Sequence, residues 1–427
     1  MVKTIESMTV DSSLFNHTLE KILKNRLPYN YHKTVTLNFN EEFHGYQEDV
    51  KDFVREVVRI TNMIKDENID IEQVIENARD DQHERVRNFY ELAIPVIKKY
   101  NHYCINKSYL DYNDLISRSI SLFQNHTDIA SIYKNKYEYI LVDEFQDVNN
   151  LQIELIKLLL TENTQLFCVG DDWQSIYGFR GANVSHIIEF ENHFSNANII
   201  QLNVNYRSVQ NIVDASNEVI KHNKFKINKN ILATQKSEHK IVVYSGDNEV
   251  DNMKFCINQI KNLLDNGVNS DEILFLYRRS KMFEQYQKTF NEKGIHIQSK
   301  TIHAAKGFES KVVFIIGLTE GYGGFPNIWF EDRIFQVIKK ANHDLLMEEE
   351  RRLFYVAITR AKDNLFLITE KGKESSFLKE IPAAFTVCTT DTSKTIMDKI
   401  MICDGCCNQL EKSWVFCPYC GRKISEF

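Results

Sequence analysis

The stretch that decides the fold is YILVDEFQDVNN, residues Tyr139 to Asn150. An apolar run with the look of a buried β-strand ends abruptly on two adjacent carboxylates, Asp143 and Glu144, with Asp147 three residues further on. A helical pattern follows at once in NNLQIELIKLLL, where Leu151, Leu155, Ile156 and Leu159 share a face. Strand, acidic turn, helix is the local grammar of a parallel α/β sheet, whose ligands sit at the carboxyl ends of the strands.

Working outward, the same alternation recurs. The other β-like runs are QLFCVGD, NIIQLN, KIVVYSG, EILFLYRR, KVVFIIGL and NLFLITE, with amphipathic segments between them. From about residue 136 to 372 the pattern predicts two parallel sheets. Upstream, VKDFVREVVRITNMI, VRNFYELAIPVIKKY and YNDLISRSISLF have helical spacing and no parallel-strand signal.

Composition narrows the partners. The 427 residues carry a net charge of −7, so the chain as a whole is no basic nucleic-acid binder and any such contact must be a local patch. No stretch is long and apolar enough to cross a membrane, and the first residues, MVKTIESMTVDSS, lack the apolar segment of a signal peptide. The expectation is a cytoplasmic protein. Five of its nine cysteines lie in CDGCCNQLEKSWVFCPYCG. Cys403-x₂-Cys406 and Cys417-x₂-Cys420 are two knuckles ten residues apart, the spacing of a tetrahedral thiolate cage for Zn²⁺. The polar stretch before them, TVCTTDTSKTIMDKI, reads as a linker.

The acidic strand end reads as chemistry. Carboxylates there can hold Mg²⁺, which favours oxygen ligands and bridges to phosphates, and a second carboxylate can orient a water for attack on a γ-phosphate. The competing reading is a helix N-cap with first-turn acids. The next strand is followed by VGDDWQSIYGFRGA (Val169 to Ala182), which packs two acids, a Gln, three aromatics and an Arg into one loop. Aromatics beside arginine suit single-stranded nucleic acid, because every base has a face to stack on. Three further blocks follow in order: LNVNYRS (Leu202 to Ser208), TIHAAKGFESKVVFIIG (Thr301 to Gly317) and EERRLFYVAITRAK (Glu349 to Lys362).

Together these five blocks resemble motifs II to VI of the UvrD/PcrA/Rep-type superfamily 1 DNA helicases. GDDWQSIY and GLTEGYGGFP look most like the DNA helicase IV branch. The resemblance implies two RecA-like parallel-sheet domains, the first incomplete, with ATP between them. It implies a helical region at residues 1–135, first-domain residues 136–205, second-domain residues 206–380, a linker at 381–400 and a zinc ribbon at 401–427. By the same resemblance Asp143 coordinates Mg²⁺, Glu144 activates the attacking water and Gln174 senses the γ-phosphate. Tyr206 stacks on adenine, Arg207 and Arg360 act as arginine fingers, Glu309 meets the ribose and Lys306 belongs to the nucleotide site. Tyr177, Phe179, Arg180, Thr301 and His303 face single-stranded DNA, and movement runs 3′ to 5′. Phe179 stands where many relatives carry Trp.

Two departures stand out. The chain contains no GxxxxGK[ST] cradle for the β- and γ-phosphates; its only Gly-Lys pair, Gly372-Lys373, is followed by Glu. Three readings follow: the downstream part of a split or truncated motor whose loop sits on a second polypeptide, a DNA-binding scaffold or regulatory subunit that does not hydrolyse ATP, or an unrecognised substitute near the N-terminus. The second departure is the short gap between Ser280 and Thr301, which leaves no room for the large 2B insertion of UvrD-like helicases.

Overall fold

The computed structural model describes residues 39–236, 239–321, 324–327, 333–339, 343–390, 401–402 and 409–410. Cys403, Cys406, Cys417 and Cys420, and most of the expected linker, lie outside them. The chain divides into two compact units: residues 1–199 with 225–227 and 328–349, and residues 200–224 with 228–327 and 350–427.

The described residues of unit 1 begin with five helices: α1 (Phe39–Asp66), α2 (Ile71–Arg79), α3 (Glu84–Lys107), α4 (Tyr112–Asn125) and α5 (Thr127–Lys134). Asp70 caps α2, and Asp111 with Asp114 forms a capping box on α4, each satisfying amides that a helix start leaves unpaired. From Phe39 to Lys134, the described part of the expected helical region is helical. Val57, Ile60, Val74, Tyr90, Ala93 and Ile97 build its core, and a distant segment joins them: Ile334, Phe335 and Val337 are buried in the same cluster. Tyr90 donates to the Ile334 carbonyl at 2.6 Å, and the Arg59 guanidinium lies 4.1 Å above the Phe335 ring. Those contacts assign residues 328–349 to unit 1, although they follow strands of unit 2 in sequence.

Two parallel strands complete unit 1, β1 (Tyr139–Val142) and β2 (Gln165–Cys168), in register from Tyr139–Gln165 to Val142–Cys168. Helix α6 (Asn150–Leu159) follows β1, with Asn149 and Gln152 forming its capping box. Val142 and Cys168 pack against Phe145, Val148 and Ile153. The reading of β1 as a buried strand needs correction: Tyr139 is 67% exposed and Leu141 73%, because side chains alternate across a strand and only one face meets α6.

Unit 2 is built on a six-stranded sheet in the order β10-β5-β9-β8-β6-β7, every pairing parallel. Its strands are β5 (Ile241–Gly246), β6 (Ile273–Tyr277), β7 (Gln298–Thr301), β8 (Ser310–Ile315), β9 (Ala361–Glu370) and β10 (Thr386–Thr389). All five residues of β6 are buried, as parallel strands covered on both faces require. Phe275, Phe314 and Phe366 stack across three neighbouring strands, with centroids 4.6 and 4.4 Å apart. Two expectations change here. Thr386–Thr389, expected to be linker, extends the sheet by pairing with β5. NIIQLN forms no strand. Ile200 and Leu202 are exposed, and the strand starts only at β3 (Val204–Val209), which pairs with β4 (Leu232–Gln235). The gap between Ser280 and Thr301 holds one helix, Glu284–Glu292, and the edge strand β7. No helix among the described residues is long and apolar enough to cross a membrane.

Candidate nucleotide and nucleic-acid site

In unit 1 the carboxyl ends of β1 and β2 are knotted together by a residue that motif reading passed over. Gln146 is 1% exposed. Its Nε2 donates to Glu144 Oε2, its Oε1 accepts the Asp171 N–H at 2.9 Å, and its carbonyl accepts the Ser175 hydroxyl at 3.1 Å. Gly170 lets this amide approach: a Cβ there would lie 2.6 Å from Gln146 Oε1. The Phe145 N–H bonds the Val169 carbonyl at 2.9 Å, closing the same pair of loops through the backbone. The available signal was an amide side chain one position past the apolar Phe145, where an acidic turn must find donors.

Asp143 and Glu144 both stand exposed at the strand end. Asp143 Oδ1 accepts the Glu144 N–H at 2.8 Å, and Glu144 takes the left-handed conformation (φ 52°) that turns the chain out of the strand. Gln174 donates to Asp171 Oδ2 at 2.8 Å. Thus Asp143, Glu144 and Gln174 sit on one hydrogen-bonded pair of loops. Accessible carboxylate oxygens suit a hard cation such as Mg²⁺, which needs only one or two protein carboxylates when phosphates and water complete its shell. Among the described residues no group of three or more His, Cys, Asp or Glu forms a metal cage.

The loop after β2 splits into two roles. Trp173, grouped in the sequence with the stacking aromatics, is 2% exposed and its indole N–H donates to the Ile227 carbonyl at 3.2 Å. Asp172, fully buried, accepts the Ile227 N–H at 2.8 Å. These two residues hold the segment 225–227, and burial removes Trp173 from any stacking surface. Tyr177 is half-buried beside Phe179 and Arg180. The Arg180 guanidinium carbon lies 5.0 Å from the Tyr177 ring centroid and 5.4 Å from that of Phe179, and Phe179 and Arg180 are exposed. Gly181 follows with φ 87°, a conformation a side chain resists.

Unit 2 brings three of the later blocks together. Glu309 pairs with Arg207 Nε and with Lys362 Nζ, the latter at 2.7 Å; the Lys362 and Arg207 hydrogen bonds hold its carboxyl below the usual carboxylate range. Asn205 Oδ1 accepts the N–H groups of Arg207 and Ser208, and the Ser208 hydroxyl ties this turn to the Ala361 carbonyl at 2.6 Å. Lys362 is a cation the motif reading missed, although it ends the quoted block. Tyr206 is 74% exposed, an accessible ring.

Arg360 is 1% exposed. Its guanidinium donates to the carbonyls of Val356 (2.9 Å) and Phe308 (3.1 Å) and to Thr359 Oγ1 (3.2 Å). The geometry shows it holding the loop that carries Glu309. Lys306 is half-buried at the end of a tight turn that continues through Gly307 at φ 81°. Thr301 closes β7 and accepts the Ala304 N–H at 3.3 Å; His303 is half-buried in the same turn, and Lys300 Nζ lies 4.1 Å above the exposed Phe308 ring.

Residues 3–195 match the UvrD/REP helicase N-terminal domain, and residues 200–299 and 296–372 match the UvrD-like helicase C-terminal domain. A probable DNA helicase of Mycoplasma pneumoniae is 36% identical over 289 residues, 66% of this chain and 53% of that protein. A probable DNA helicase II homolog of Mycoplasma capricolum is 34% identical over 267 residues, 62% of this chain and 36% of the relative. The ATP-dependent DNA helicase PcrA of Staphylococcus epidermidis is 34% identical over 251 residues, 55% and 34%. The chain thus spans between about a third and about half of the length of these relatives. With both helicase domains matched in order, the chain belongs to the UvrD-type superfamily 1 helicases.

Proposed function

We propose that this chain is the ATP-dependent motor portion of a DNA helicase or translocase that moves 3′ to 5′ along single-stranded DNA, its two α/β units serving as RecA-like domains. The observation that supports this best is the Gln146 bridge, which keeps Asp143, Glu144 and Gln174 on one rigid pair of loops at the carboxyl ends of parallel strands. On this reading Asp143 holds Mg²⁺, which offsets phosphate charge when bound. Glu144 takes a proton from the attacking water, its carboxylate aimed by Gln146, and Gln174 follows the γ-phosphate. Tyr206 offers a ring to adenine. Lys306 and Glu309 belong to the nucleotide side, with Arg207 supplying phosphate-facing charge. Arg360, from the last of the five blocks, is the second arginine finger, and its guanidinium also fixes the Phe308–Ser310 loop. Tyr177, Phe179, Arg180, Thr301 and His303 contact the strand. The four cysteines Cys403, Cys406, Cys417 and Cys420 hold Zn²⁺, and the protein works in the cytoplasm.

Because the 427 residues contain no GxxxxGK[ST] loop, the phosphate cradle is proposed to come from a second polypeptide. The test is phosphate release from Mg-ATP with oligo(dT), by the chain alone and mixed with a polypeptide carrying a strand–GxxxxGK[ST]–helix unit. Negligible turnover alone, and DNA-stimulated turnover in the mixture that Glu144→Gln abolishes, are expected. DNA-stimulated hydrolysis by the chain alone would refute the need for a cradle, and failure to bind oligo(dT) in every arm would refute the motor. The missing loop favours one second reading, an ATPase-deficient DNA-binding scaffold; binding of oligo(dT) without turnover in any mixture would select it.

A further inference from the structure

One carboxylate outside the five motif roles already assigned touches the nucleic-acid loop from behind. Helix α7 (His343–Ile358) carries Glu348 and Glu349 side by side, and successive helix positions point about 100° apart. They therefore reach different segments. Glu348 accepts the Phe225 N–H through both oxygens, at 3.4 and 3.3 Å. Glu349 Oε1 accepts the N–H of Gly178 at 3.0 Å.

Gly178 sits inside the cluster of Tyr177, Phe179 and Arg180. Tyr177 precedes it; Phe179 and Arg180 follow it within one turn of 3-10 helix. A Cβ at Gly178 would lie 2.6 Å from Glu349 Oε2 and 2.9 Å from Oε1, closer than side-chain atoms approach. A side chain at this position would push the Glu349 carboxylate off its present seat. Glu349 has the wrong charge to grip a DNA phosphate, so contact with the backbone of the strand is not its use. A carboxylate that accepts a backbone N–H makes a charge-assisted bond, stronger than a neutral one.

We propose that Glu349 is a positioning residue for single-stranded DNA: by holding the Gly178 N–H it sets the direction in which Tyr177, Phe179 and Arg180 present their rings and charge. This rests on the reading of that cluster as a base-stacking surface. It makes Glu349 and Gly178 a matched pair in which each residue constrains the other.

Four variants of the full chain test it: Glu349→Ala, Glu349→Gln, Gly178→Ala and the double Glu349→Ala/Gly178→Ala. Two readouts are taken on each, anisotropy of fluorescein-labelled oligo(dT) and hydrogen exchange of the amides from Tyr177 to Ala182. Loss of this charge-assisted bond predicts roughly tenfold weaker binding for Glu349→Ala, with faster exchange at Gly178. Glu349→Gln keeps an acceptor and most of the affinity. Gly178→Ala weakens binding, and adding Glu349→Ala to it costs nothing more, since the atoms the new methyl strikes are gone. Unchanged affinity and unchanged Gly178 exchange in Glu349→Ala would overturn the proposal, as would strictly additive effects in the double variant. If the parent chain itself fails to bind oligo(dT), the DNA reading falls and the positioning role falls with it; exchange then still decides whether Glu349 holds Gly178.

Discussion

Asp66, the last residue of α1, offers the sharpest test of how unit 1 is put together. It is 7% exposed and lies beneath the end of the proposed nucleic-acid loop: a Cβ on Gly181 would come within 3.1 Å of its Oδ2. Asn149 Nδ2 donates to Oδ1 at 3.3 Å. Burial, and then the neighbouring charges of Glu67 and Asp111, push its carboxyl up to about 6, with Lys339 acting weakly the other way. The unfolded chain ionises the same group near 3.8. Between those values the folded state binds more protons, so stability falls as pH rises from about 4 to about 6 and stays reduced above that. The rise from 3.8 to about 6 corresponds to about 3 kcal/mol at pH 7.5. Asp66→Asn keeps an acceptor for Asn149 and removes the charge. It should therefore stabilise unit 1 by about 3 kcal/mol at pH 7.5, by roughly half of that near pH 5, and by about a fifth of it near pH 4. His186 works in the opposite direction: burial, His193 and two lysines push it down to about 4, so its protonation costs stability as pH falls below about 6.5. Comparing variant with parent at each pH cancels that contribution. The assay is urea unfolding followed by fluorescence of Trp173, with Trp329 and Trp414 replaced by Phe so that the buried indole of unit 1 reports alone. A variant no more stable than its parent at pH 7.5, or a gain that does not shrink as pH falls, would refute the reasoning.

Phe335→Ala empties a buried site in the helical core and removes the ring under Arg59, so a loss of about 3–5 kcal/mol is expected in the same urea assay. Arg180→Ala should weaken oligo(dT) binding and lower the slope of log affinity against log salt by up to about 1; an unchanged slope would mean the guanidinium meets no phosphate and acts on the rings alone. Purified protein should carry about one Zn²⁺ per chain by elemental analysis, and Cys403→Ser with Cys417→Ser should abolish it.

Much of the site was legible before any fold was known, because its chemistry is local. The end of β1 had to carry Asp143 and Glu144, since an apolar run followed by adjacent acids and a helix pattern admits few other readings. Short apolar runs marked four of the six strands of the large sheet, because strands buried on both faces are written as continuous hydrophobic stretches. What stayed hidden depends on contacts between residues far apart in sequence. Nothing near Thr386 shows that the chain re-enters the sheet beside β5, and nothing near Phe335 shows that it fills a core made by residues more than two hundred positions earlier. Trp173 looked like a stacking ring because composition reports a ring's presence and not its burial.

The sequence by itself determined which groups are available: carboxylates, an amide, aromatic rings and guanidinium groups in the order of the UvrD-type blocks, and two Cys-x₂-Cys pairs near the C-terminus. Tertiary structure alone decided which of those groups face solvent and which are spent holding neighbours, as Gln146 and Arg360 are. Residue type and spacing are properties of a short stretch of chain, whereas burial and hydrogen-bond partners exist only once distant stretches have packed together.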